Sequence, residues 1–412
     1  MPTNGKLPLN ICQAACNNTN MAFNIAYILN STLPNAGSTK AFLSLLEGVM
    51  RLEVRPTVIV PDDNGVCRTL REMGVDLHVV RFKHNTYPDL NSAKDAILFL
   101  PRIAGRMWMN RRASAAVKKI LLERRIQLVH TNVSVVSVGM TAAQSLGIPH
   151  VFHFREYGDL DFGMRYFPSK DIFYRRIAQS GSRFICITRG VMAHHNLPVD
   201  RTRVIYDGVK KHRDTMPDED RGNYFMYAGR IEPTKGLIEL LKAYRKALSA
   251  SEHLPALKIL GAPSDANYSQ EVMSYVLNHH LDGHLEFLGE KDNIDHYMAH
   301  ALAIIIPSRF EGFGFCMTEA MFNGCIVCGY NNAGTKEQFD NGLQLTGAPI
   351  GFPYNTQEEL KELLLRLSTT AKAELDPYRQ RAFRTVNELY TAETHANTVY
   401  TFYRDILGNL NV

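Results

Sequence analysis

No stretch of this chain approaches the ~18 consecutive apolar residues that a membrane-spanning helix needs, so none is expected. The first 20 residues lack both a basic n-region and a continuous apolar core, which argues against a secretory signal there. The sequence therefore predicts a disordered extension over 1–20 and, by default, a cytoplasmic protein. Cysteine is sparse and odd in number: seven in 412 residues argue against a disulfide framework. Cys325 and Cys328 form a C-x-x-C, but within the apolar run Cys325-Ile326-Val327-Cys328 and without a second ligand pair nearby, so they read as core cysteines. Dense positive charge is also missing. A net +5 is too mild for a nucleic-acid partner, while it suits an anionic small molecule or a membrane surface. The first strand-turn has no Gly-x-Gly-x-x-Gly, which tells against a nicotinamide-dependent oxidoreductase. No Asp-x-Asp metal motif stands in a suitable place: Asp62-Asp63 and Asp159-Leu160-Asp161 read as isolated loop carboxylates.

What remains is a globular chain long enough for two or three domains. Apolar, β-branched runs recur from Phe23–Leu29 to Phe184–Thr188, and again from Tyr224–Ala228 to Cys325–Cys328, separated by helix-length segments. This pattern predicts α/β architecture with parallel sheets buried on both faces. A polar, breaker-rich stretch over 208–222 reads as a linker. It divides a first doubly wound, Rossmann-like domain (21–207) from a second (223–395), and a helix over 396–412 is expected to cross back to the first. Two such domains facing one another leave a central cleft at the carboxyl ends of their strands, where ligands bind.

Two segments carry the chemistry. Gly229-Arg230-Ile231-Glu232-Pro233-Thr234-Lys235-Gly236 follows a strand and opens a helix. Arg230 and Lys235 thus stand where backbone amides point outward, an arrangement suited to a diphosphate; a surface loop with two solvated cations has the same sequence. In Pro307–Ala320, a buried strand runs into a loop containing Glu311, Gly312 and Gly314 and then into a helix containing Glu319. The glycines let backbone amides approach a ligand, and the carboxylates can accept bonds from sugar hydroxyls.

Together these segments resemble the paired signature of the retaining nucleotide-sugar glycosyltransferases of family four, which have the GT-B fold; Glu311 and Glu319 resemble their E-x7-E motif. The resemblance is strongest over Tyr224–Glu337 and weaker from Phe23 to Asp207. It implies that Arg230 and Lys235, beside Gly229, hold the donor diphosphate, and that Glu319 binds the ribose hydroxyls. It further implies that Glu311 contacts the transferred sugar, with the amides of Phe313, Gly314 and Phe315 at its outer hydroxyls. Gly334 and Thr335 resemble a further phosphate-side turn. In the first domain Gly37 and Ser38 resemble the family's glycine loop, here with one glycine where many members have two, and His153 resembles a histidine that contacts the transferred sugar. Where the family usually has proline this chain has Ile326. The nucleotide sugar, with UDP favoured, is then a substrate, and neither a cofactor nor a metal is called for. Phosphorylases and sugar-nucleotide epimerases share this architecture, as would an inactive sugar-binding protein.

Residues 95–125 mix Ile97, Leu100, Met107 and the chain's one tryptophan, Trp108, with Arg102, Arg106, Arg111, Arg112, Lys118 and Lys119. The pattern fits both a domain helix with a solvated basic face and an interfacial helix that associates reversibly with a membrane and meets a lipid-linked acceptor. A soluble saccharide acceptor goes with the first of these.

Overall fold

The computed structural model describes residues 22–34, 36–88, 92–217, 222–251 and 253–408. The expected extension over 1–20 and the linker residues 218–221 lie outside the described residues. The first sheet contains β1 (Phe23–Ile28), β2 (Val54–Val60), β3 (Asp76–Val79), β4 (Leu128–Thr131), β5 (His150–Phe154), β6 (Arg183–Cys186) and β7 (Thr202–Val204). The second contains β8 (Tyr224–Ala228), β9 (Ala256–Leu260), β10 (Leu285–Gly289), β11 (Ala303–Ile306), β12 (Ile326–Tyr330) and β13 (Phe352–Tyr354). Their orders are β3-β2-β1-β4-β5-β6-β7 and β10-β9-β8-β11-β12-β13. Every neighbouring pair is parallel.

Continuous apolar strands form the centre of each sheet because helices cover both faces. All four residues of β11 and all five of β5 are buried. Cys325 and Cys328 are buried free thiols in this core, as their apolar surroundings predict. The order in which successive strands are added reverses between β1 and β4 and again between β8 and β11. At such switch points the connections diverge and leave a crevice at the carboxyl ends of the strands.

Two chain segments cross between the domains side by side. Val209 N donates to Tyr390 O at 3.0 Å and Ala392 N to Lys210 O at 2.8 Å. Gly208 is required there, since a Cβ would stand 2.7 Å from Ala392 Cα. Beyond this crossing the Ala392–Gly408 helix packs on the first domain. Its Val399, Phe402, Tyr403 and Ile406 join a core with Ile25, Phe42 and Leu45.

Candidate functional site

The carboxyl-terminal wall of the cleft is built from the two turns beside the β8/β11 switch point. After β8, the chain makes a short 3-10 turn at Pro233–Lys235 and enters the Leu237–Leu248 helix through Gly236 at φ +70°. A side chain on Gly236 would meet the carbonyl oxygen of Pro307 at 2.5 Å, so glycine lets the first turn lie directly on the second. After β11, Gly314 takes φ +96° and starts the Phe315–Phe322 helix. This contact brings Lys235 Nζ to 2.6 Å from Glu311 Oε1, across 76 residues of sequence. Burial opposes the Lys235 charge, but the Glu311 carboxylate outweighs it and holds the lysine pKa above its usual value. Arg230 is half exposed and reaches Glu232 at 2.9 Å; Thr234 and Ser264 hydroxyls fix that carboxylate at 2.7 and 2.9 Å.

Glu319 lies inside the second helix, and its carboxylate accepts no hydrogen bond among the described residues. Burial raises its pKa, opposed by Lys40 of the first domain and by Lys210. Gly334 presses against the same loop: its amide donates to Glu311 O at 2.9 Å, and a Cβ there would stand 2.5 Å from Phe313 O. Thr335 is fully buried, and its hydroxyl has no hydrogen-bond partner among the described residues. Gln338 ties the loop down, donating to Phe313 O at 2.6 Å and Gly314 O at 3.1 Å while accepting from Thr318 at 2.9 Å.

The amino-terminal wall comes from loops after β1, β4, β5 and β6. Gly37 opens the Gly37–Met50 helix, and a Cβ on it would stand 3.4 Å from the ring of Phe315, so the two helix starts meet across the cleft. Asn132, after β4, donates to Ser38 O at 3.1 Å. After β5, Tyr157 contacts Phe310 with ring centroids 6.0 Å apart, and the Arg230 guanidinium lies 5.8 Å from the centroid of Phe162. Leu160 closes one side of a cavity of about 340 Å³ whose other side is Pro233, Thr234, Arg309 and Phe310. Asp159 and Asp161, read as isolated carboxylates, are both committed. Asp159 pairs with Lys170 at 2.7 Å and His194 at 2.6 Å, and Asp161 accepts from the amides of Tyr157 and Gly158 at 2.9 and 2.7 Å.

His153 does not line this cleft. It is 0% exposed and its ring packs between His130 and His395. Arg155 bridges it to Asp207, contacting His153 Nδ1 at 3.2 Å and the Asp207 carboxylate. Burial, reinforced by Arg155, holds the His153 pKa far below its ordinary value, so the ring is neutral. The sequence places His153 at the end of β5, and all five residues of that strand, His153 included, are buried. His153, Asp207 and His395 form a group whose ligand atoms are close enough for a cation. The Arg155 guanidinium already supplies positive charge to Asp207, so a dication there would face a fixed like charge, and we assign none.

One carboxylate that the sequence did not single out joins the walls. Glu337 accepts from Arg189 N at 2.9 Å, Gly190 N at 3.1 Å and the Tyr206 hydroxyl at 2.9 Å, all in the first domain. Asn341, one turn on, accepts from the Arg189 side chain at 2.6 Å. The nearby sequence signal was Gly334-Thr335, whose glycine fixes the close approach that aims Glu337 across the interface.

Residues 36–208 match the family described as Glycosyl transferase 4-like domain, and residues 209–381 match Glycosyl transferases group 1. An uncharacterized glycosyltransferase of Methanocaldococcus jannaschii is 24% identical over 321 residues, covering 75% of this chain and 87% of the relative. Among solved structures, Anabaena HepE in complex with UDP aligns with a TM-score of 0.72 at 17% identity, over 93% of this chain and 100% of that one. A glycosyltransferase from Rickettsia africae aligns with a TM-score of 0.74 at 16% identity, over 94% and 99%. With each half matched by its own domain family and the two-domain fold shared, this chain belongs to the glycosyltransferases of GT-B type, with a 4-like first domain and a group 1 second domain.

Proposed function

We propose that the protein transfers a sugar from a nucleoside-diphosphate sugar to a saccharide or lipid-linked acceptor with retention of anomeric configuration. One observation carries the reading: the Lys235–Glu311 pair at the β8/β11 switch point, between two helix starts, the second of which meets Gly37 across the cleft at Phe315. Breaking a glycosyl phosphate bond develops negative charge on the departing diphosphate. Fixed cations and helix amino ends stabilise that charge without reorganising. In this reading Lys235 and Arg230 neutralise the diphosphate, and the amides of Gly314 and Phe315 with Gly37 flank the sugar and phosphates. Glu319, whose carboxylate accepts no hydrogen bond among the described residues, accepts from the ribose hydroxyls. Glu311 is positioned by Lys235 toward the transferred sugar. His153 acts through Arg155 as a positioning residue for the β5 loop.

Side chains supply the positive charge in this account, so catalysis needs no divalent metal. Activity abolished by a chelator and restored by magnesium would overturn that. The structures of HepE with UDP and UDP-glucose support a uridine diphosphate donor. A thermal-shift screen of nucleotide sugars identifies the donor, because a ligand of the folded state raises its midpoint. Proton NMR of the product formed from that donor then tests stereochemistry: the donor's anomeric configuration is expected in the product, and the inverted anomer would refute retention.

A further inference from the structure

The helix Phe99–Glu123 is 25 residues long, about 37 Å at 1.5 Å per residue. The strands beside it, β1 and β4, have six and four residues, roughly 13–20 Å. The helix is therefore longer than these strands. Its buried residues, Ala113, Val117, Ile120 and Leu121, all fall in its second half. The first half projects past the carboxyl edge of the sheet, the edge on which the cleft opens. Lys83 and Asn110 hold it there through paired bonds of 2.8 and 2.9 Å, and the Phe99 ring stacks on Tyr87 at 5.6 Å. Tyr87 in turn donates to Pro168 O at 2.9 Å, tying this projection to the loop after β5 that lines the cleft.

The projecting surface is apolar and basic at once. Ile97 is 78% exposed, Leu100 74%, Trp108 61% and Met107 57%. The projecting half carries Arg102, Arg106, Arg111 and Arg112; Arg102 pairs with Asp95 at 2.6 Å and Arg106 donates to Thr86 O at 2.7 Å, while Arg111 and Arg112 are exposed. The Arg112 guanidinium stacks over Trp108 at 4.7 Å, placing a cation beside the largest exposed ring. A second copy of this surface would bring like charges together. A polyanion alone gives no reason to expose isoleucine, leucine and tryptophan. Anionic lipid meets both requirements, with headgroups for the cations and the acyl boundary for the apolar tip.

We propose that Ile97, Leu100, Met107 and Trp108, flanked by Arg111 and Arg112, seat the protein on an anionic bilayer with its cleft opening at the membrane surface. Given the transferase reading, an acceptor carried on a lipid then enters the cleft from the plane of the membrane.

The single tryptophan makes the test direct. The full chain is mixed, without donor or acceptor, with vesicles of phosphatidylcholine alone or with phosphatidylglycerol. Co-sedimentation and a blue shift of Trp108 emission are expected with the anionic vesicles only, and both should weaken as salt rises. Arg111→Glu with Arg112→Glu should lower partitioning at least tenfold, and Ile97→Ser with Leu100→Ser should remove most of it. Nucleotide affinity should stay unchanged in both double variants, which separates loss of this surface from misfolding. Equal sedimentation with neutral vesicles, an unshifted emission, or lipid-independent dimerisation through these residues would overturn the proposal. Because no transfer is measured, failure here leaves the enzymatic reading standing, and failure of transfer leaves this result standing.

Discussion

The carboxyl-terminal wall of the cleft carries its chemistry in two short segments, whereas the amino-terminal wall gathers residues from four separate loops. Between Gly229 and Gly236, and between Pro307 and Glu319, backbone turns and the side chains they aim are neighbours in sequence. One long-range contact, Lys235 with Glu311, joins the two segments. Opposite them, Gly37, Asn132, Tyr157, Arg155 and Thr188 come from the ends of β1, β4, β5 and β6. Tyr157 meets the second domain through its ring, while Arg155 and Thr188 meet the backbone of Gly312. Gly312 lies so close to Arg155 O that a Cβ would be 2.5 Å from it, and Thr188 donates to Gly312 O at 3.1 Å. The difference suggests a division of labour in which the second domain grips the donor and the first closes over it.

The sharpest way to break that division is to remove the grip. Lys235→Ala should cost ~2–4 kcal/mol of transition-state stabilisation with the fold intact, and more than Arg230→Ala, whose side chain is half exposed. Steady-state kinetics on both variants checks the size and the order; near-normal turnover in Lys235→Ala would remove it from the mechanism. Glu319→Ala should weaken free nucleoside diphosphate by ~1.5–3 kcal/mol through lost charged hydrogen bonds. Glu311→Ala should instead depress turnover more than nucleotide affinity. Calorimetry that finds equal losses would show the two glutamates to be misassigned.

Weakening the closure should do less. Glu337→Ala strips the carboxylate from Arg189 N, Gly190 N and Tyr206, and should lower kcat/KM by ~1–2 kcal/mol while nucleotide affinity changes little. A loss of nucleotide affinity as large as that of Glu319→Ala would mean that the walls are not separable.

A smaller effect lies in pH dependence. Burial raises the Glu156 pKa to about 7 despite hydrogen bonds from Ser134. The folded pKa lies above the unfolded one, so protonated Glu156 carries no penalty at low pH. Stability is then lost as pH rises between roughly 4.5 and 7. Glu156→Gln should accordingly stabilise the protein by ~1–2 kcal/mol at pH 8 and by almost nothing at pH 4. Denaturant unfolding at both pH values reads this difference, and an equal effect at both would mean that the carboxyl does not titrate as described.

The same contrast explains how much could be read in advance. Apolar strands buried on both faces announce themselves, and so do glycines at strand-to-helix turns, because each reflects a local steric demand. The edge strands β7 and β13 escaped notice: three residues each, Thr-Arg-Val and Phe-Pro-Tyr, give no apolar run, and an edge position tolerates Pro353. Glu337 escaped because its partners lie ~130–150 residues away and a carboxylate on a helix is ordinary in sequence. His153 was expected at the cleft edge at the end of β5, and in the structure it is fully buried. In a strand buried on both sides the alternation that tells cleft from core is absent, and burial of its neighbours Asp207 and His395 came only with the fold.

The central claim, a diphosphate held by the carboxyl-terminal wall, is tested most directly by comparing UDP with UMP in calorimetry. The wild-type protein should bind UDP at least about tenfold more tightly than UMP, since a second phosphate adds charge opposite Lys235 and Arg230. Lys235→Ala should erase most of that ratio, while Glu319→Ala should weaken both nucleotides alike. Equal affinity for UDP and UMP in the wild type, or a ratio untouched by Lys235→Ala, would contradict the account.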